Sequence, residues 1–437
     1  MGTFTLLGQR RFAGFFVTQF LGAMNDNIFK NVLMIMIAYR ITNETTSGLL
    51  INLAAGLFIL PFFLLSPIAG QIADKVEKAS IMRAVKASEI GIMALGTIGF
   101  SLDSMPLLFL TLLLMGVHST FFGPVKYSIL PQHLANDELV TGNALVSMGT
   151  FLAILLGTTI GGLLAQERNA WISGATMLTV ATAGYFASRT VPPAPAAAPD
   201  LVLDWNPFKQ IAAMTRLVRS QKTVLSGVMG ISWFWYVGST VLAQLPNFTR
   251  HMLQGNEKVV ILLLTNFAIA ICVGAGICAK ISRGRLETGL VLIGSVGMSL
   301  FTADLFWVRG AKAAADGVLQ SPLALLSGPD AWSLWRTIID LFLTGVFSSF
   351  FIVPLYSLIQ QRSDPSLRSR VIAVNNVYNS VFMVGSALIA MTIYKLGFTT
   401  IDLLVITAGL NLVFAGLLAA ANRDYLQSAR RLLFSRF

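Results

Sequence analysis

The chain has 437 residues, of which 55% are hydrophobic and only 12% charged, with a mean hydropathy of +0.72. An ordinary soluble domain is about 25% charged, so a water-soluble globule is excluded, and unbroken runs of Leu, Ile, Ala, Gly and Phe exclude the alternating pattern of a membrane β-barrel. The net charge of +11 sits mainly in the loops between those runs; it reads as a signal of membrane orientation rather than a footprint for nucleic acid.

Twelve apolar segments, each able to cross ~30 Å of hydrocarbon as a helix, are predicted near 12–38, 48–73, 80–101, 105–130, 138–166, 169–189, 223–248, 258–281, 286–307, 331–361, 369–394 and 399–421. Placing both termini on one side gathers 21 of the 31 Lys and Arg there, and the positive-inside rule makes that side cytoplasmic. Arg10 and Arg11 lead into a full-length segment with no small-residue cleavage site, so the first helix is expected to be retained. The fold class is therefore an all-α membrane protein of twelve transmembrane helices. Residues 1–190 form an N-terminal six-helix bundle, 191–222 a cytoplasmic linker, and 223–437 a C-terminal bundle with a basic tail.

The first segment carries QFLGAMNDNIFKN, residues 19–31, with Asp26 near its middle, Asn25 and Asn27 on either side, and Lys30 one turn on. A charge at that depth costs about 2.5–3.5 kcal/mol, so it faces a cavity or a partner. Asp26 is then the anionic pole of a polar substrate site, or a proton site; the plainer alternative is an intrahelical pair with Lys30 that only glues the bundle.

Between the second and third segments lies GQIADKVEKASIMR, residues 70–83. Gly70, Asp74, Lys75, Lys78 and Arg83 resemble the G-x-x-x-D-(R/K)-x-x-(K/R) loop of the major facilitator superfamily, which implies a gating role. Gly70 permits close helix approach, and Asp74 can accept charged hydrogen bonds from the neighbouring bundle when that side is closed. The equivalent loop of the second half, GICAKISRGR, keeps Gly276 but has Lys280 in place of the Asp, which predicts a stronger latch in the first half.

The fourth segment ends in STFFGPVKYSILPQ (Ser119–Gln132), and SSFFIVPLYSLIQQ (Ser348–Gln361) follows 229 residues later with six of fourteen positions identical. Such duplication marks secondary transporters built from two pseudo-symmetric halves, with the substrate site at their interface. Lys126 follows Pro124, whereas the second copy has Leu355 at that position. Helix position alone therefore does not require a cation. Lys126 is read as a grip for an anionic group such as phosphate, or as a side chain snorkelling to the interface.

The linker opens with VPPAPAAAPD, too proline-rich for a helix, and continues as an amphipathic helix whose face carries Ile211, Met214, Leu217 and Val218. That helix is expected to lie on the cytoplasmic leaflet. The tail after 422 is also basic and amphipathic, and reads as a closing surface helix or a junction to a further domain. Further on, Asn375, Asn376 and Asn379, and Gln244, Asn247 and Asn266, are amides that glue helices as often as they bind ligand. Glu89 and Asp340 are weaker candidates that read as structural, although in a proton-coupled exporter Glu89 would share the proton cycle with Asp26. Cys272 and Cys278 share one segment and are expected to be small hydrophobes rather than a disulfide.

Taken together, QFLGAMNDNIFKN, GPVKYSILPQ with ELVTGNAL, SWFWYVGS and FFIVPLYSLIQ resemble the bacterial lysophospholipid transporter family of the major facilitator superfamily, over about residues 9–420. The resemblance implies a flippase of the bacterial inner membrane working by alternating access. It would carry lysophosphatidylethanolamine and related lysolipids from the outer to the cytoplasmic leaflet for re-acylation. Asp26 and Lys126, with Asn25, Asn27, Lys30, Tyr127 and Asn379, would form the substrate site, acting as a monomer beside membrane lipids. Some members carry an Arg on span seven where Leu242 stands here. Some relatives are fused to acyltransferase or acyl-ligase domains, so an enzyme of that kind is an expected partner. No cofactor, metal or catalytic residue is expected. The soluble-type acyltransferase signature needs His followed five residues later by Asp; His118, His133 and His251 are followed by Gly123, Glu138 and Asn256. The rival readings are a proton-coupled exporter of small amphipathic drugs or metabolites, and a lipid sensor that binds without transport.

A lipid substrate would have to keep its tail out of water, since exposing a sixteen-carbon chain costs on the order of 12 kcal/mol at ~0.8 per CH₂. Phe121, Phe122, Phe350, Phe351, Trp233 and Trp235 are candidates to line an apolar path, although such aromatics more often pack helices.

Overall fold

The computed structural model describes residues 4–40, 44–165, 170–308 and 319–434. Its regular structure there is helical, apart from an isolated bridge between Gly255 and Gln320. The helices are α1 (Arg10–Arg40), α2 (Glu44–Lys75), α3 (Lys78–Ser101), α4 (Met105–Ser128), α5 (Leu130–His133), α6 (Leu139–Ala165), α7 (Ala170–Arg189) and α8 (Pro207–Ser220). They continue as α9 (Lys222–His251), α10 (Glu257–Ser282), α11 (Gly289–Asp304), α12 (Pro322–Ser327), α13 (Ala331–Arg362), α14 (Arg368–Lys395), α15 (Thr400–Ala421) and α16 (Arg423–Phe434). The twelve long ones coincide with the twelve predicted segments to within a few residues. Among the described residues, nine are long and apolar enough to cross a membrane by composition alone. The other three long helices are α1, α3 and α7; in α1 and α3 the apolar run is diluted by Asn25, Asp26, Lys30, Lys86 and Glu89, the groups from which the site is built.

The chain divides into two compact units, Met1–Val224 with Ile359–Ser380, and Leu225–Leu358 with Val381–Phe437. In the first, α1 packs on α6 and α7, α2 on α4, and α3 on α4 and α7. Small residues allow the closest approaches, as expected where packing rather than hydrophobicity drives association in lipid. Gly157 and Gly161 of α6 lie directly against the carbonyls of Met24 and Ile28 in α1, so a methyl group at either would collide with backbone.

The proline-rich connector is coil, as its composition dictates, but it is stitched down rather than loose. Gln71 and the backbone of Asp204 exchange two hydrogen bonds of 2.9 Å. Lys78 N donates to Ala194 O at 2.9 Å, and Ala198 N to Asp74 O at 2.8 Å. Glu77 caps α3 through the amides of Ala79 and Ser80 and reaches across to Ala194 N at 2.8 Å. Burial alone would raise the Glu77 carboxyl, but these bonds and the Ser80 hydroxyl outweigh it and hold Glu77 below its usual range. The apolar face of α8 turns inward along α2, with Val218 buried and Thr215 within 3.4 Å of the Tyr378 hydroxyl. Lys209, Arg216 and Arg219 are exposed on α8, as is Phe208 in its first turn.

In the second unit, α11 packs on α15 and α16. Asn411 of α15 bridges to α11 by donating 2.9 Å bonds to Ser295 O and Ser299 Oγ, and accepts from Trp233 Nε1 at 2.8 Å. The basic tail folds back as α16. Its Tyr425 is buried with the hydroxyl 3.1 Å from Ser226, and Ser428 bonds Glu287 at 2.9 Å.

Candidate functional site

Asn25 and Asp26 are successive residues of α1, so the helix turns them about 100° apart: one side chain meets α3 and the other α4. Asn25 Nδ2 donates to Glu89 Oε1 at 2.8 Å. Asp26 Oδ2 accepts from Ser119 Oγ at 2.9 Å, while its Oδ1 is buried and accepts no hydrogen bond. Lys30 does not close on Asp26; its ammonium stands over the Phe58 ring, 4.3 Å from the centroid. The helix-internal pair considered from the sequence is thus not the arrangement found. Asn27 turns its amide back to Ala23 O at 2.7 Å and packs on Gly157, which makes it glue rather than a lining group.

Behind Asp26 lies a second charged set. Glu89 Oε2 accepts from Lys86 Nζ at 2.6 Å, and His118 Nε2 lies 3.3 Å from the same oxygen. All three side chains are buried. The Lys86 ammonium fits beside Gly22, where any side chain would strike it, and lies 5.2 Å from the Phe122 ring centroid.

Lys126 donates to Thr150 Oγ1 of α6 at 2.9 Å and stands 5.4 Å from the Tyr127 ring centroid, with no carboxylate in ion-pair range among the described residues. Gln19 Oε1 lies 3.1 Å from the Thr150 hydroxyl. α4 runs on through Pro124 without a break. Ser119, which holds Asp26, and Lys126 are seven residues apart on it, about 10 Å along the axis. The anionic and cationic groups are therefore strung along α4 at different depths. Gly123, between them, faces the Asn376 amide, whose Nδ2 has no hydrogen-bond partner, and neither amide atom of buried Asn375 has one. Asn379 is buried on the same helix, α14.

The predicted gating residues fall into two groups. Gly70 is pressed against α14, where an added methyl would lie 2.5 Å from Ala373 Cβ and 3.0 Å from Arg370 Cα. Asp74 is fully buried and accepts from Ser369 N at 3.1 Å and Arg370 Nε at 3.0 Å, so it caps the start of α14 and pairs with its arginine. Lys78 is buried nearby with its ammonium unbonded. Arg83 instead pairs with Glu77 at 3.2 Å, and Lys75 ends α2 half-exposed. At the end of the second repeat, Gln360 donates to Tyr127 O at 2.9 Å and exchanges hydrogen bonds with Asn143.

The second unit presents a different interior. Trp233 stacks between Tyr236 and Phe414 at 4.8 and 4.7 Å, so it packs helices; Phe350 and Phe351 are likewise buried. Gln244 accepts from the Tyr394 hydroxyl at 2.5 Å, and Asn266 donates to Ile338 O at 2.8 Å. Near the start of α13, Arg336 grips Asp304 at 2.8 and 2.9 Å beside Asp340.

Against known families, residues 15–387 match the model of the Major Facilitator Superfamily. The chain belongs to the major facilitator superfamily. Within it, the chain is similar to proteins described as the lysophospholipid transporter LplT. That of Klebsiella pneumoniae subsp. pneumoniae is 29% identical over 410 residues, with 92% of each chain covered. That of Escherichia coli O9:H4 is 29% identical over 428 residues, covering 93% of this chain and 96% of the relative. Among solved structures, the human organic anion transporter MFSD10 matches with a TM-score of 0.74 at 13% identity, over 94% of this chain and 99% of that one. FucP in its outward conformation matches with a TM-score of 0.67 at 12% identity, over 93% and 98%. These two show the major facilitator fold.

Sequence reasoning missed Lys86, His118, Ser119 and Thr150 and set Glu89 aside as structural. Lys86 lies near the start of its segment, where a basic residue reads as a loop charge. Its i, i+3 spacing to Glu89 was the available signal, since two opposite charges on one face of a membrane helix seldom face lipid.

Proposed function

We propose that this superfamily member is a lysophospholipid transporter, a flippase that carries lysophosphatidylethanolamine and related lysolipids to the cytoplasmic leaflet of the bacterial inner membrane by alternating access. The observation that carries the reading is the pair of unsatisfied charges in the first unit. Asp26 keeps one buried carboxylate oxygen free, and Lys126 has only the Thr150 hydroxyl and an aromatic face. A zwitterionic head group supplies both missing partners: its ammonium for Asp26, its phosphate for Lys126. The two positions lie further apart than the two-carbon bridge of ethanolamine spans, so the head group meets them in succession. The free amide of Asn376 beside Gly123 lies along that path. The similarity to LplT proteins supports the same substrate class.

Both termini would lie in the cytoplasm, as the positive-inside rule expects, and the contact of Asp74 with Arg370 would then close that side. The protein would act as a monomer and hand its product to an acyltransferase or acyl-ligase. One observation favours the second reading, a proton-coupled exporter: a buried carboxylate lacking a donor, as Asp26 Oδ1 does, is also how a proton carrier looks. Purified protein in liposomes, given fluorescent lysophosphatidylethanolamine with and without a proton gradient, separates the two. Flipping that needs no gradient and is lost in Asp26→Asn supports the flippase. Transport that collapses with the gradient supports the exporter.

A further inference from the structure

The α2–α3 corner around Asp74 holds donors that its own acceptors leave unused. Lys78 is 2% exposed, and among the described residues its ammonium has no hydrogen-bond partner. The buried Nε of Arg368 has none either, and its Nη2 lies 3.5 Å from Ser363 O. The Ser363 hydroxyl, also buried, is a third group without a partner. The charge of Arg368 acts on Lys78, and that of Asp74 acts on both. The carboxylates of the corner are engaged elsewhere. Asp74 accepts from Ser369 N and Arg370 Nε, and Asp364 from the amide and hydroxyl of Ser366. Glu77 is taken by Arg83 and by the amides of Ala79, Ser80 and Ala194.

A buried cation without an acceptor is costly. Burial holds Lys78 and Arg368 below their ordinary pKa values, although Asp74 opposes it at Lys78 and Asp364 and Asp74 at Arg368. What the two cations lack is an anion with several oxygens. Three unpartnered donors suit the oxygens of a phosphate better than the two of a carboxylate, and a guanidinium binds phosphate in its fork. Arg368 is partly exposed, so the corner opens to solution there. We propose that Lys78 and Arg368 form a binding site for a phosphate group, from an anionic lipid head group or free in solution, which braces the latch of Asp74. Lys78 opens α3 and Arg368 opens α14. One phosphate accepting from both ties those helices together beside the Asp74–Arg370 contact, which joins α2 to α14. The site stands whichever substrate the protein carries.

Thermal unfolding of the purified protein in detergent tests the site. The protein is titrated at constant ionic strength with sodium phosphate and, separately, with short-chain phosphatidylglycerol; sodium chloride and short-chain phosphatidylcholine are the controls. The wild-type midpoint is expected to rise saturably, as it does for any ligand that binds only the folded state. A rise with phosphatidylglycerol alone identifies the lipid as the source, a rise with inorganic phosphate alone the free ion, and a rise with both admits either. Lys78→Met should unfold no lower than wild type in buffer without phosphate, because the ammonium it removes has no partner. Its affinity for the anion should fall by roughly 30-fold, a charge-assisted hydrogen bond's worth, and Arg368→Gln should lose a similar factor. Unfolding of Lys78→Met well below wild type in that buffer would make Lys78 purely structural and overturn the site. Equal shifts in wild type and both variants, or no shift with either anion, also overturn it. Hydrogen exchange of the Ser369 and Arg370 amides, which face Asp74, reads the latch. It should slow about tenfold at saturation, within the usual range of coupling between sites; unchanged exchange overturns the bracing.

Discussion

The two copies of the repeated segment share a frame and differ in chemistry. In the first, Ser119 holds Asp26 and Lys126 reaches Thr150. In the second, Ser348, in the place of Ser119, is buried, and Leu355, in the place of Lys126, is fully buried against Gly230. The loops repeat the contrast. Gly70 and Asp74 are clamped onto the start of α14, whereas nothing lies within 4 Å of a methyl group at Gly276, and Lys280 is exposed. The shared residues are those that any close-packed helix needs. Within the repeat, the cation of the first copy, Lys126, has no charged counterpart in the second, where Leu355 stands.

The largest break in this contrast should come from the latch. Asp74→Asn strands Arg370, and disrupting a buried pair costs about 3–5 kcal/mol; a cysteine at position 369 should become reactive to a maleimide, while Lys280→Ala leaves it protected. Next, Asp26→Asn should slow flipping by roughly 30-fold, about 2 kcal/mol of charged hydrogen bonding. The same substitution in both copies sharpens the point: Lys126→Met should cost about tenfold, and Leu355→Met should leave the rate within about twofold, as volume-conserving core swaps do. Gly70→Ala should destabilise by about 1–3 kcal/mol through overpacking, against about 0.5 kcal/mol or less for Gly276→Ala, read as thermal unfolding in detergent.

The smallest effect is a pH dependence outside the membrane. The bidentate hydrogen bonds from Arg11, at 2.5 and 2.7 Å, hold the Glu138 carboxyl below its ordinary value of 4.5, partial burial opposing. A carboxylate lowered on folding stabilises the fold above its unfolded pKa, and that contribution disappears as pH falls from about 4.5 through the lower folded value. With Arg11 more than a third exposed, solvent screening limits it to about 1 kcal/mol or less. Glu138→Gln should flatten the acid limb of the thermal-stability profile by that much.

The spans and the duplication follow from patterns that lie within one stretch of chain, so they were legible. Asp26 and Asp74 also stood out, because a carboxylate in an apolar run needs a reason. The partners of those residues were not legible. Ser119 and Thr150 are ordinary hydroxyls that could bond their own helix, and His118 has no local signature at all. What joins them to Asp26 and Lys126 is helix packing over gaps of tens of residues, which no periodicity encodes. The inward turn of α8 escaped for the same reason: an apolar face suits a protein groove as well as a lipid surface.

The stitched connector bears on where this chain can be divided. The proline-rich stretch from Val191 to Asp200 is the natural place to split the protein into two separately expressed pieces or to insert a reporter. Its bonds to Asp74, Glu77 and Lys78 make it instead a strap across the α2–α3 corner. Cutting there would loosen the ground on which Asp74 is held. The better break is Gln221, the single residue between α8 and α9, which leaves the strap whole on the first fragment.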